Sequence, residues 1–325
     1  MPVLRPTTDG LVLIRPPGAG DAETLIAGRD EIFHRFLGDG DEEPRPIGCI
    51  LVHDEIIGWV DYDLDREWLK PGEINVGYNV FAPHRGKGYA SRAVQLLAHH
   101  LVVDTDHHTA TLLIDSRNRR SLAVAARTRF VDCGRRDGNT YFKRRLPPLT
   151  YSDGVVTIRR QRDDDLDADL EAKDDQQIDW LWLPGHRELW EAMTAAEQRA
   201  HALRGLRANR DAFGTGAKWS FAVDAPDAEY VAYVDCDLAN EHVPAGEANI
   251  SYSSHPAHRG KGYVSRAVRL VMRFLADHTA ARQAHILVDA ENVASLRVAD
   301  ATDATPAEQW STADGRQMIR HVRDI

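Results

Sequence analysis

His84-Arg85-Gly86-Lys87-Gly88-Tyr89 recurs 174 positions later as His258-Arg259-Gly260-Lys261-Gly262-Tyr263. Each copy runs through one variable residue into Ser-Arg-Ala-Val, at Ser91–Val94 and again at Ser265–Val268. A match this long in one register is an internal repeat, and the repeat decides the architecture. The flanks keep the same register. Glu73-Ile74-Asn75-Val76-Gly77-Tyr78 precedes the first copy and Glu247-Ala248-Asn249-Ile250-Ser251-Tyr252 the second. Ile74, Val76, Tyr78 and Val80 alternate with more polar residues, the period of a strand with two different faces. Beyond each glycine loop the spacing becomes helical. Ala90, Ala93, Val94, Leu97 and Leu101 share one face, as do Val264, Ala267, Val268, Val271 and Leu275.

The repeat extends further in both directions. Thr109–Ile114 and His285–Val288 read as strands leading into Asn118-x-x-Ser121 and Asn292-x-x-Ser295, each opening a helix-like segment. Near the start of each half, Gly10–Arg15 matches Gly154–Arg159, at an offset of 144 rather than 174. About thirty extra residues therefore lie between Lys173 and Trp219, including Trp180, Trp182, Trp190 and a long helix-like run from Glu188 to Arg210. The corresponding stretch of the first half, Glu31–Pro46, reads as short and loop-like. Paired prolines at Pro147-Pro148 punctuate the chain, giving domains at 1–147 and 151–325. A length of 325 residues suits two such cores better than one.

Composition narrows the class. The chain is 43% hydrophobic and 28% charged, with a net charge of −10, which argues against a general nucleic-acid binder. Residues 1–147 hold 20 Lys/Arg and 21 Asp/Glu, leaving 20 and 29 for the rest, so the second half carries the acidity and would favour a cationic ligand or simply solubility. No apolar run is long enough to span a bilayer, and Met1–Gly10 lacks the features of a signal peptide. Three separated cysteines (Cys49, Cys133, Cys236) support neither a disulfide framework nor a zinc site, so the reducing cytoplasm is the expected compartment.

A strand, an Arg-Gly-Lys-Gly turn and a helix have a direct electrostatic reading. Glycines allow backbone N–H groups to point inward as an anion nest, and the helix adds its positive end. Arg85, Lys87, Arg259 and Lys261 would add formal charge, so the suited ligand is a pyrophosphate. A Walker loop is excluded because Gly follows the Lys, and a dinucleotide fingerprint because only Gly-x-Gly is present, mid-domain.

Arg85-x-x-Gly88-x-Ala90 resembles the Q/R-x-x-G-x-G/A acetyl-CoA motif of the GCN5-related N-acetyltransferases, and Arg259-x-x-Gly262-x-Val264 differs from it only in the last position. The Gly-Tyr strand and the Asn-x-x-Ser helix look most like the ribosomal-protein-alanine acetyltransferase branch. The resemblance implies two tandem α/β (α+β) domains, each a central, mostly antiparallel mixed sheet flanked by helices. It implies acetyl-CoA as cosubstrate, with no metal. It also implies acetyl transfer to a primary amine, on a small molecule or a peptide N-terminus. Cofactor contacts would fall on Val80, Phe81, Arg85, Gly86, Lys87, Gly88, Tyr89, Ala90 and Asn118, and on Arg259, Gly260, Lys261, Gly262 and Tyr263. Ser121 matches the serine that this branch places near the CoA sulfur, since Ala125 occupies the position of the alternative tyrosine. No nucleic-acid or membrane partner is implied, and an internal pseudo-dimer and a homodimer both remain open.

Glu73 is the best-placed carboxylate for the base that deprotonates the amine, two residues upstream of the usual position, where Asn75 stands. A solvated residue at a strand start is the alternative. Asp61 and Asp63 alternate along a strand and would either dock an ammonium group or line a polar face. The second half loses the helix pattern and terminal aromatic at Asp300–Pro306, which reads as a degenerate tail. His99-His100 and His107-His108 are expected on the solvent side, and Asp163–Asp165 in the first turn of a helix. A non-catalytic acyl-CoA sensor or scaffold is the rival to an enzyme.

Overall fold

The computed structural model describes residues 4–181, 185–213, 217–312 and 314–325; Trp182, in the extra stretch of the second half, lies outside them. The chain forms two compact units that divide between Pro148 and Leu149, apart from two short segments.

In the first unit the order is β1 (Thr7–Thr8), β2 (Leu13–Arg15), α1 (Asp21–Ala27), α2 (Glu31–Leu37), β3 (Gly48–Val52), β4 (Glu55–Asp63) and β5 (Glu73–Val80), followed by α3 (Tyr89–Asp104), β6 (Thr109–Asp115), α4 (Arg119–Arg127), β7 (Val131–Arg136) and β8 (Asn139–Arg145). The eight strands form one sheet ordered β1-β2-β3-β4-β5-β6-β8-β7. Only β5 and β6 run parallel, joined by the right length of connection, the helix α3. Period-two alternation sends Ile74, Val76 and Val80 to the face covered by α3, where they pack with Ala93, Val94, Leu97 and Leu101. The opposite face carries Cys49, Leu51 and Phe81 against Leu25 of α1, with Trp59 beside them.

The second unit runs β9 (Tyr151–Ser152), β10 (Thr157–Arg160), α5 (Leu166–Glu171), α6 (Asp175–Leu181), α7 (His186–Glu191), α8 (Ala195–Ala212), β11 (Lys218–Ala225), β12 (Ala228–Asp237) and β13 (Ala248–Ser254). It finishes with α9 (Tyr263–His278), β14 (Gln283–Asp289), α10 (Val293–Ala301), β15 (Thr305–Ser311) and β16 (Gln317–Asp324). Its sheet order, β9-β10-β11-β12-β13-β14-β16-β15, reproduces the first, again with one parallel pair, β13 and β14.

Four local expectations are corrected. Glu31–Pro46 opens with the helix α2, because Asp30 accepts the Phe33 N–H and caps it. The run from Glu188 to Arg210 is two helices, because the Thr194 hydroxyl and the Glu197 carboxylate form a capping box that starts a new one at Ala195. The tail of the second half is not degenerate in fold. α10 has the same nine-residue length as α4, and Asp303 repeats the left-handed turn of Arg129. Ala304 is buried where Phe130 is buried in the first half, so the aromatic is lost while the turn and hairpin persist. Finally, His99 and His100 are fully buried on α3 rather than solvated, and His100 Nδ1 sits 2.9 Å from Asp104 one turn on. The Asp163–Asp165 run forms a 3₁₀ turn ahead of α5, with Asp163 held by Arg207 and Arg210 and Asp165 by Arg159.

Candidate active site

The parallel strands of each unit stay paired for only a few residues. β5 and β6 are in register at Glu73/Thr109, Ile74/Ala110 and Asn75/Thr111, and the pairing ends there. β13 and β14 are in register only at Ala248/Ala284 and Asn249/His285. Each sheet is thus forked beyond this point, with the Gly-Tyr or Ser-Tyr pair on one arm. Unpaired backbone on both arms can accept an extended ligand between them.

The glycine loop lies at the end of the same arm. Gly86 and Gly88 have φ of +81° and +85°, and Gly260 and Gly262 have +77° and +75°. A Cβ on any of them would meet nothing within 4 Å, so backbone conformation, not space, requires glycine. Gly88 precedes the first turn of α3 and supplies no side-chain cap. The first-turn amides of a 16-residue helix are therefore unsatisfied donors at its positive end, the chemistry a pyrophosphate needs. Lys87 and Lys261 are exposed beside these amides, with Lys261 Nζ 3.3 Å from His258 Nδ1. Tyr89 and Ala90 are partly buried and pack against the core cluster, and Tyr263 lies under the Lys261 ammonium.

The arginines behave differently from the expectation. Arg85 donates through both terminal nitrogens to Asp30, at 2.5 and 2.9 Å, and through Nε to the Val80 carbonyl at 2.7 Å. Arg259 makes the same bidentate contact with Asp174, at 2.6 and 2.7 Å. Both aspartates sit just before a helix, α2 or α6, and Asp174 also accepts the Gln177 N–H. The Arg85 guanidinium holds the Asp30 carboxyl down at about 2. These guanidiniums therefore fasten the loop to the starts of α2 and α6 and are not free formal charge in the loop. The pair is 55 residues apart in the first half and 85 in the second, too far for motif reading. Comparing the halves at the 144 offset, which aligns Asp30 with Asp174, would have found it.

Val80 and Phe81 contribute no side chain to the loop. Both are buried, Val80 in the α3-facing core and Phe81 against α1. The Val80 carbonyl is taken by Arg85, and the Phe81 N–H is donated to Ile57 at 2.8 Å. Asn118 spends its side-chain carbonyl on capping α4, accepting the Ser121 N–H at 3.1 Å; Asn292 does the same for Ser295 at 3.0 Å.

Among the acid–base candidates, Glu73 is buried and ion-paired with Lys143 at 2.5 Å, and also accepts the Lys70 N–H. Burial opposes ionisation, but the Lys143 ammonium and the Lys70 N–H together hold the carboxyl below its usual value. A carboxylate so committed is a poor proton acceptor, which argues against the basic role expected for it. Asp61 has the opposite environment. It sits opposite Gly77 on the arm of the fork, receives N–H groups from Ile47 (3.3 Å) and Tyr62 (2.9 Å), and is pushed up by burial. Asp63 is paired with Arg66 at 2.6 Å.

Tyr78 was not singled out by the motif. Its hydroxyl is buried beside Ser121 without a well-formed hydrogen bond, and burial raises it to about 12. In the second half the Tyr252 hydroxyl approaches Ser295 and donates to its carbonyl at 3.3 Å. A tyrosine from the fork arm thus stands where the sequence offered only serine. Among the described residues no cluster of His, Cys, Asp and Glu has the arrangement of a metal site, and no helix is long and apolar enough to cross a membrane.

Comparison with known proteins gives the family. The family model described as the acetyltransferase (GNAT) domain matches twice, over residues 15–131 and 156–305. The chain belongs to the GNAT acetyltransferase family, with two tandem domains of that fold. Solved structures similar to it include a GNAT-family acetyltransferase from Bacillus anthracis, at 14% identity and TM-score 0.44, covering 54% of this chain and 98% of that one. RimJ from Mycobacterium smegmatis, in complex with a CoA disulfide, aligns at 20% identity and TM-score 0.42, covering 53% and 82%. The aminoglycoside acetyltransferase AAC(6')-Ib, in complex with coenzyme A, aligns at 15% identity and TM-score 0.40, covering 52% and 94%. A search of curated protein sequences finds no match.

Proposed function

We propose that this chain is an acetyl-CoA-dependent N-acetyltransferase of the cytoplasm that acts, without a metal, on a primary amine of a small molecule or a protein N-terminus. The observation that carries the proposal is the forked sheet ending in a glycine-framed helix start, present once per unit and without a side-chain cap at α3. The loop amides and Lys87 hold the pyrophosphate, and the fork admits the pantetheine arm. Asp61 is the group we assign to the ammonium proton, because burial raises its proton affinity, whereas the lysine-paired Glu73 is held below its usual value. The Tyr78 hydroxyl, with Ser121, returns a proton to the departing thiolate. A phenol raised to about 12 stays protonated and so remains a donor at neutral pH.

The test is turnover of acetyl-CoA, followed by thiol release, across a panel of small amines and N-terminal peptides. Asp61→Asn should abolish it while acetyl-CoA still binds. Tight binding without turnover on any amine would favour the second reading, an acyl-CoA sensor. The structural basis for that reading is the commitment of Glu73 to Lys143 and of the Tyr252 hydroxyl to the Ser295 carbonyl.

A further inference from the structure

The first unit carries a cationic cleft that neither the glycine loop nor the fork uses. An open cavity of about 670 Å³ lies between the start of α4 and the β7–β8 hairpin, with Arg117, Arg119 and Arg135 on its walls beside Asp132, Leu122 and Phe142. The hairpin aims one of these arginines. β7 holds one extra residue between Asp132 and Arg135, which pair with Phe142 and Thr140 of β8. That bulge turns residues three apart in sequence onto one face, the face on which Phe142 packs with Val124 and Leu122 of α4.

No local contact accounts for three cations here. Arg119 is exposed and its guanidinium has no partner among the described residues. With Arg120 it occupies the first turn of α4, where positive charge opposes the helix dipole. Arg135 makes long contacts, 3.4 Å to Asp132 and 3.4 Å to the Gly134 carbonyl. Arg117 is held by Asp115 at 2.7 Å, and the charge of Arg35 on α2 also reaches Asp115. The second unit shows that the fold does not need these charges. The 174 offset places Glu291, Val293 and Gln309 where Arg117, Arg119 and Arg135 stand, and the 144 offset places Asp179 where Arg35 stands. The second unit still forms a nine-residue α10 and the β15–β16 hairpin, with Gln309 paired across to Ile319.

Resting on the acetyltransferase reading, we propose that this cleft takes the carboxylate side chains of a peptide acceptor, so that the first unit selects acidic N-terminal segments. Guanidinium forks match carboxylates bidentately. The cleft adjoins the reaction site through α4, since Arg119 lies two residues before Ser121, the neighbour of the Tyr78 hydroxyl. Its far wall, β7, is two strands beyond β6, or about 10 Å at about 4.8 Å per strand. The carboxylate of a free α-amino acid lies about 2.5 Å from its own amine and cannot span that distance. An extended chain rising about 3.3 Å per residue spans it within about three residues.

The experiment is calorimetry of the full chain loaded with coenzyme A, titrated with peptide amides opening Ser-Glu-Glu, Ser-Gln-Gln and Ser-Lys-Lys, and with free glutamate. The cleft predicts that Ser-Glu-Glu binds at least about tenfold tighter than Ser-Gln-Gln, with Ser-Lys-Lys weakest. The preference should shrink as salt rises. The double variant Arg119→Val with Arg135→Gln copies the second unit, so it should fold while erasing the preference. Equal affinities in the wild-type chain, a preference that survives in the double variant, or free glutamate binding as tightly as Ser-Glu-Glu would overturn the cleft. So would a double variant that weakens coenzyme A but not dephospho-coenzyme A, which would give the arginines to the ribose phosphate of the cosubstrate. Acetyl transfer to the same peptides is followed separately by thiol release. Transfer without the preference overturns the cleft and leaves the acetyltransferase reading standing. The preference without transfer to any amine supports the cleft and sinks that reading.

Discussion

Asp30 does two jobs that substitution can separate. Its side chain caps α2 through the Phe33 N–H and pairs bidentately with Arg85 of the glycine loop. Asparagine keeps the cap and removes the charge; alanine removes both. Lowering Asp30 from 3.8 to about 2 corresponds to about 2 kcal/mol of differential stabilisation. The Asp30 side chain is 30% exposed and that of Arg85 12%, so solvent screening reduces this to about 1–2 kcal/mol. Loss of the cap adds about 1 kcal/mol. Asp30→Asn should therefore lower unfolding stability by about 1–2 kcal/mol and Asp30→Ala by about 2–3 kcal/mol, measured by urea denaturation near neutral pH. If the latch also orders the loop, acetyl-CoA affinity should fall about 5–30-fold in both variants. The pH dependence has a fixed sign. Because the folded-state value is depressed, the latch contributes fully above the unfolded value near 4 and is lost as pH falls toward 2, so wild type and Asp30→Asn should converge in acid. Equal losses for the two variants, or an Asp30→Asn penalty that persists unchanged into acid, would refute the division of roles.

Glu73→Gln should cost stability by stranding Lys143 yet leave turnover within a few-fold of wild type, whereas Asp61→Asn should remove turnover without weakening acetyl-CoA binding; steady-state kinetics with calorimetry separates them. Tyr78→Phe should lower turnover more than Ser121→Ala, because the tyrosine hydroxyl is buried beside Ser121 and its raised proton affinity keeps it a donor at neutral pH. The reverse order in kcat would return the acid to serine. Thr194→Ala breaks the capping box that starts α8 and should destabilise the second unit by about 1 kcal/mol, read from its thermal transition.

The architecture was legible because it was written twice. Alternation in Glu73–Tyr78 and helical spacing after Tyr89 give strand, loop and helix locally, and the 174 offset makes coincidence untenable. The glycine positions were legible too, since glycine adopts the left-handed turns found at all four without the steric cost that a side chain brings. What escaped depended on partners distant in sequence. Nothing near Arg85 reveals Asp30, and nothing near Glu73 reveals Lys143, so two residues read as free charge are internal ion pairs. Burial of His99 and His100 follows from α3 being covered along most of its length, which a one-sided amphipathic reading does not anticipate. The tail of the second half misled because alanine at 304 hides an unchanged turn. The backbone there is set by Thr302 capping and the left-handed Asp303, not by the aromatic.

The central claim is that each unit carries an acetyl-CoA loop built from backbone donors. Calorimetric titration of acetyl-CoA into the intact chain, beside Gly88→Asp and Gly262→Asp, tests it most directly, because either substitution places a carboxylate on a left-handed glycine at the cradle. Two binding events, one removed by each variant while the fold survives by circular dichroism, is the predicted result. Binding that both variants leave intact, or no binding by the wild-type chain, would contradict the claim.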